Sequence, residues 1–346
     1  MLPPLRFHPI AKARAWGGAR LSRYGKPSAT GGPTGETWEL ADLPDSIADG
    51  QSRIDGGPFD GWTMRALREA RREDLLGIAT PAPDGGFPLL VKFLDAAENL
   101  SLQVHPDEAY ARTHPGAHLK TEAWIVVECD PGARVYRGVR PGTTPDAFEA
   151  ALREGRALEH IESHEVAPGD CVYLPSGTCH ALGGGILAAE VQTPSDTTFR
   201  VWDWDRHDPS RPLHLAEARA CMKFGAAQSD GTPGFVRAAD LARSEAAGIA
   251  TTRLCRAAFF TIERLEATGA AGAVAAIPLA PTGVPEIWTT LAGEARFETA
   301  SGIVAAPRGT TVLRPAAVEE GAVFLESGAI VLRTICASPI DRAIAR

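Results

Sequence analysis

The sequence predicts a mainly β protein, built from two antiparallel β-barrels or jelly rolls with a few helices. Three observations predict it. Short runs of alternating apolar and polar residues recur along the chain, as strands with one buried face require. Thirty-five glycines and 27 prolines punctuate them, which implies many turns. Strands follow one another without regular intervening helices, which argues against a parallel βαβ sheet and for antiparallel architecture.

In chain order, the Gly- and Pro-rich first sixty residues offer one strand, "ETWELAD" (36–42). Residues Phe59 to Leu76, "FDGWTMRALREARREDLL", carry apolar positions at helical spacing, and Gly77 suits the stop. "PLLVKFLDA" (88–96) and "LSLQVH" (100–105) read as strands, the second halted by Pro106, Asp107 and Glu108. "TEAWIVVECD" and "ARVYRGV" follow across a Pro-Gly turn. "TTPDAFEAALREG" is a helix, with Thr144 as cap, Pro145 in the first turn and Gly155 at the end. Strands then run through "HEVAPGDCVYLPSGTCHALGGGILAAEVQ" and "TTFRVWDWD", and "RPLHLAEARACM" is a short helix. A polar, Gly-containing stretch from Ala226 to Gly234 marks a boundary, dividing the chain into 1–225 and 226–346. Alternation resumes in "AAFFTIERLEA", "EIWTTLAGEARFE", "TTVLRPAA" and "GAIVLRTI".

Composition excludes several functions. A formal net charge of −8 argues against a nucleic-acid surface. No stretch is long and apolar enough to span a bilayer, and the start lacks the apolar core of a signal peptide. Six cysteines without a CxxC pair read as reduced thiols, so the expected location is the cytoplasm. Oligomeric state is not legible.

Residues i and i+2 of a strand share a face. Gln103 and His105 therefore point together, as do Lys120 and Glu122 in "LKTEAW". The tight "PSG" bend in "PGDCVYLPSGTCHAL" can deliver His180 to a barrel mouth, with Cys179 facing the other way. Two imidazoles, a carboxylate and an amide oxygen can surround one divalent cation; glutamine is the unusual member of such a set. Singly, each residue reads as a core or surface strand residue, and spacing alone decides nothing.

The ordered set does. "LSLQVHPDE", "KTEAW", "LPSGTCHAL" and "AEVQTPSDTTFRVWDWDR", with "WGG" (16–18), "GETWEL" (35–40) and "RPLHLAEA", resembles the type I phosphomannose isomerases of the cupin superfamily, in their short bacterial form. The similarity covers roughly residues 5 to 220. Over 226–346 the strand patterns, with no histidine after His214 and with Cys255 and Cys336 in apolar strands, point to a smaller metal-free cupin-like domain, while the resemblance implies a catalytic cupin domain over 1–225 with helical insertions. It further implies one zinc ion per chain, held by Gln103, His105, Glu122 and His180, with Arg200 as the active-site arginine. Cys179 in a usually aliphatic slot and "EVQTPSD" depart from the pattern; both bear on substrate preference rather than on metal.

The implied reaction interconverts mannose 6-phosphate and fructose 6-phosphate through a cis-enediol(ate). Its proton needs a base, for which Lys120 and Glu190 are candidates, and its developing charge needs a cation, for which Arg200 stands. Ser101 shares the face of Gln103 and can reach substrate. The competing expectations are a metal-dependent cupin oxygenase, against which a fourth protein ligand argues, and a sugar-phosphate-binding cupin without turnover.

Overall fold

The computed structural model describes residues 1–344. It is mainly β, with 40% strand and 16% helix. Four antiparallel sheets stack in two sandwiches. In the first, a seven-stranded sheet runs Phe235–Val236, Cys171–Leu174, Glu122–Cys129, Ile186–Gln192, Leu90–Ala96, Ile10–Gly18, Thr34–Leu40. It faces a five-stranded sheet ordered Phe199–Trp202, Leu102–Val104, His180–Leu182, Arg134–Val139, Ile161–Glu165. Trp16, Leu94, Trp124, Val126, Val135, Leu182, Ile186 and Ala188 fill the space between.

The second sandwich pairs another seven-stranded sheet, from Leu5–Arg6 through Glu286–Ala292 and Phe260–Ala267 to Arg243–Ala246, with a four-stranded one that includes Glu294–Thr299. Trp288, Phe297, Val323 and Val331 lie in its core. The two seven-stranded sheets share a further core. Phe93, Ile125, Tyr173 and Leu187 of one pack in the same cluster as Phe260, Ile262, Leu313 and Leu332 of the other.

Period-2 alternation explains how one strand serves both cores. In Ile186–Gln192, Ile186 and Ala188 join the first core, while Leu187, Ala189 and Val191 join the shared one. Parity then turns Glu190 inward, and likewise Glu122 and Lys92 on the flanking strands. Polar residues thus occupy one end of an otherwise apolar interior.

Two short strands cross between the halves. Leu5 pairs with Leu313, and Phe235 pairs with Val172.

Several elements differ from expectation. The helix expected over 59–76 is two helices, Met64–Ala70 and Arg72–Leu76. Thr63 caps the first, accepting from Ala66 N–H at 3.1 Å. The break falls at Arg71, with φ −138° and ψ 41°, which swings Leu75 and Leu76 into the core. Ile10–Gly18 is a strand with no clear alternation of burial, which is why its sequence hides it. Asp107 does end the preceding strand, but as the N-cap of a helix over Glu108–Thr113, its Oδ1 accepting from Tyr110 N–H at 3.0 Å. "EIWTTLAGEARFE" splits at Gly293 into strands of different sheets. The helix at Pro145–Arg153 forms as expected, capped by Thr144.

Candidate active site

A cavity of about 500 Å³ opens between the sheets of the first sandwich. Gln103 and Lys120 line it and touch a buried group behind them: His105, Glu122 and His180. His105 Nε2 lies 3.4 Å from Glu122 Oε2, and His180 Nε2 lies 3.1 Å from Glu122 Oε1. Strand register brings His180 opposite Gln103, 77 residues away, with Gln103 Nε2 3.3 Å from His180 Nε2. Rotating the Gln103 amide by half a turn presents Oε1 to the group instead, and is equally compatible with the neighbouring Ser101 hydroxyl at 3.4 Å. Arg200 also pairs with Gln103, on its other side.

Both imidazoles are oriented by backbone carbonyls. His105 Nδ1 lies 3.1 Å from the Thr197 carbonyl and His180 Nδ1 lies 2.8 Å from that of Thr178. A carbonyl only accepts, so each Nδ1 donates and each Nε2 keeps its lone pair toward Glu122. Burial first, then Lys120, pushes the His105 pKa down to about 3, so its ring is neutral. Burial alone would raise the Glu122 carboxyl, but Lys120 and His105 outweigh it and hold it well below the usual carboxylate range.

His105 Nε2 and both Glu122 oxygens are buried without a hydrogen-bond partner, although Lys120 Nζ stands 3.0 Å from Oε2. Unpartnered acceptors in a dry interior are costly. Two imidazole nitrogens and a carboxylate converging in this way fit a divalent metal ion, with Gln103 Oε1 as a fourth donor. Cys179 joins an apolar cluster on the far side of its strand, where burial pushes its thiol up, and takes no part.

Lys120 and Glu190 both line the cavity. Burial works against the Lys120 charge, but Glu122 and Glu190 raise its pKa above the ordinary lysine range. Glu190 Oε1 accepts from Trp124 Nε1 at 3.1 Å, and Oε2 lies 3.3 Å from Lys92 Nζ. Burial, offset by Lys92 and reinforced by Glu122, raises Glu190 to about 7. Arg200 lines the cavity with its Nε buried and unpartnered. Asp203 pairs with Arg206 and Arg211 instead.

Sequence reasoning missed Lys92, Glu36 and Arg14, which continue this charge network: Lys92 Nζ is 3.7 Å and Arg14 Nε 2.7 Å from Glu36. A lysine inside the apolar run "PLLVKFLDA" was the visible signal for Lys92. Arg14 sits in the strand that went unrecognised. The carbonyls of Thr178 and Thr197 leave no mark in side-chain chemistry.

Comparison with known proteins gives the chain a family. Residues 5–123 match the family model "Phosphomannose isomerase type I, catalytic domain". The mannose-6-phosphate isomerase ManA of Bacillus subtilis is 35% identical over 274 residues, covering 78% of this chain and 81% of that protein. The chain belongs to the type I phosphomannose isomerases. A family member from Streptococcus mutans, a mannose-6-phosphate isomerase, is 34% identical over 275 residues, covering 78% of this chain and 80% of that one. The crystal structure of the mannose 6-phosphate isomerase from Bacillus subtilis superposes with TM-score 0.82 at 26% identity, over 96% of this chain and 99% of that one. This type I phosphomannose isomerase thus shares the whole two-sandwich fold with it. Among the described residues no helix is long and apolar enough to cross a membrane.

Proposed function

We infer that the chain is a mannose-6-phosphate isomerase, interconverting mannose 6-phosphate and fructose 6-phosphate, with zinc bound by His105, Glu122, His180 and Gln103. The carrying observation is the convergent His–Glu–His group behind a polar cavity, with His105 Nε2 and both Glu122 oxygens unpartnered, in a chain of this family. Bound there, zinc supplies a Lewis acid for the substrate oxygens.

The chain's own residues do the rest. Thr178 and Thr197 hold the two imidazoles in the ligand tautomer. A cation held by Glu122 would offset the carboxylate charge that keeps Lys120 protonated, and Lys120 Nζ, beside Glu122 at the cavity wall, in its neutral form takes the proton from one substrate carbon and returns it to the neighbouring one. Glu190 has both oxygens engaged by Trp124 and Lys92, so it acts by holding charge in place rather than by carrying the proton. The Arg200 guanidinium, its Nε without a hydrogen-bond partner, balances negative charge as it builds on the sugar oxygens. Ser101 and Gln103 border the substrate together. A cupin oxygenase needs open coordination positions, which a fourth protein donor reduces.

Two measurements test this. A coupled assay should register isomerisation of mannose 6-phosphate, and metal analysis should return one equivalent of zinc; an active protein holding another metal would overturn the zinc assignment alone. Exchange of solvent deuterium into the substrate should vanish in Lys120→Met and persist in Glu190→Gln. The reverse pattern would transfer the proton to Glu190.

A further inference from the structure

Just past Arg200 the segment "WDWDR" enters a strained loop. Trp204, Asp205 and His207 have φ of 57°, 55° and 48°, the left-handed region that side chains other than glycine seldom adopt. Such a run persists only where surrounding structure over-determines it. Here Asp203 is the hub. Its nearly buried carboxylate accepts from Arg206 Nη1 at 3.0 Å and, in a two-point clamp, from Arg211 Nε at 2.7 Å and Nη2 at 2.9 Å. Arg206 Nη2 reaches the Asn99 carbonyl at 2.6 Å, and Trp204 Nε1 reaches the Leu100 carbonyl at 2.6 Å. The loop is therefore fastened to the residues directly before Ser101 and Gln103.

The result of this fastening is the placement of Arg211 in the wall of the cavity, with Arg14 and Arg200. After burial, Arg211 and then Arg14 are among the groups that lower the Arg200 pKa, as three guanidinium charges around one space should. Four acids also face the space, of which Glu36 is held by Arg14 and Lys92, and Glu190 by Lys92. Asp208 is engaged by Ser210, through N at 2.9 Å and Oγ at 2.7 Å, while Asp196 draws on Arg14 and Arg200. A guanidinium clamped along one edge still offers its other edge, the geometry that recognises a phosphoryl group by paired hydrogen bonds.

We propose that Arg211, set in place by Asp203 and the strained loop, receives the phosphoryl end of the substrate, Asp203 being a positioning residue. The name of the substrate rests on the isomerase reading; the anion site does not. In Arg211→Gln, the KM for mannose 6-phosphate and the Ki of inorganic phosphate should rise together by about tenfold or more, with kcat changed less than about threefold, the pattern of lost uniform binding. Asp203→Asn should move both constants in the same direction, and its zinc content should match that of the unmodified protein.

Folding of the variants is not required for a second reading. In the unmodified holoenzyme, inorganic phosphate should slow amide hydrogen exchange across residues 203–214. An unchanged phosphate Ki in folded Arg211→Gln, or no protection of that segment, would overturn the anion site. A shift in Arg211→Gln without one in Asp203→Asn would overturn the positioning role. Phosphate binding is read without turnover, so an unmodified protein that binds phosphate but does not isomerise mannose 6-phosphate would fail the isomerase reading alone.

Discussion

The lone pair on His180 Nε2 exists because Nδ1 gives its hydrogen to the Thr178 carbonyl, two residues back in the same bend. His180→Ala should therefore release zinc and abolish turnover together, as measured by metal content and the coupled assay; full retention of both would remove His180 from the ligand set. Arg200 offers a different signature. It is not one of the His–Glu–His donors and makes no ion pair among the described residues, so Arg200→Ala should keep the metal and lower kcat by about 10²-fold. A fall in melting temperature with kcat intact would make it a structural arginine.

Among the elements, the strand pair around Gly293 carries the sharpest demand. Gly293 has φ 65°, and a Cβ there would lie 2.9 Å from Ala329 Cα. The chain leaves the seven-stranded sheet at Ala292 and enters the four-stranded one at Glu294. Gly293→Ala must then relieve both a left-handed backbone and a backbone contact, and should destabilise the protein by about 1–3 kcal/mol in denaturant unfolding. An unchanged midpoint would mean that the turn relaxes freely.

The whole molecule is held by the core between the two seven-stranded sheets. A division of function near residue 225 remains our proposal, with the second part metal-free, but the two parts share buried surface. A chain ending near Ala226 would expose Phe93, Ile125, Tyr173 and Leu187, and would lose Phe235 from the edge of the first sheet. It should aggregate or bind a hydrophobic dye unless the second half is supplied in trans. The intact chain should hold a single tightly bound metal equivalent; a second one, lost on truncation, would contradict the metal-free proposal.

Alternation in the sequence determined which strand residues point inward, and so placed Gln103 with His105 and Lys120 with Glu122. Cap chemistry determined the helix at Pro145–Arg153, because Thr144 and Pro145 act within one turn. These are local effects, read over a few residues. Tertiary structure decided which inward faces meet. His180 opposes Gln103 through a register set by sheet closure. Lys92 reaches Glu190 because their strands pair directly, an adjacency that no spacing in the sequence states. The same holds for Arg211, whose place in the cavity depends on a loop bent against its own backbone preferences by contacts with Asn99 and Leu100. Period and propensity act along the chain, whereas a site is made across it.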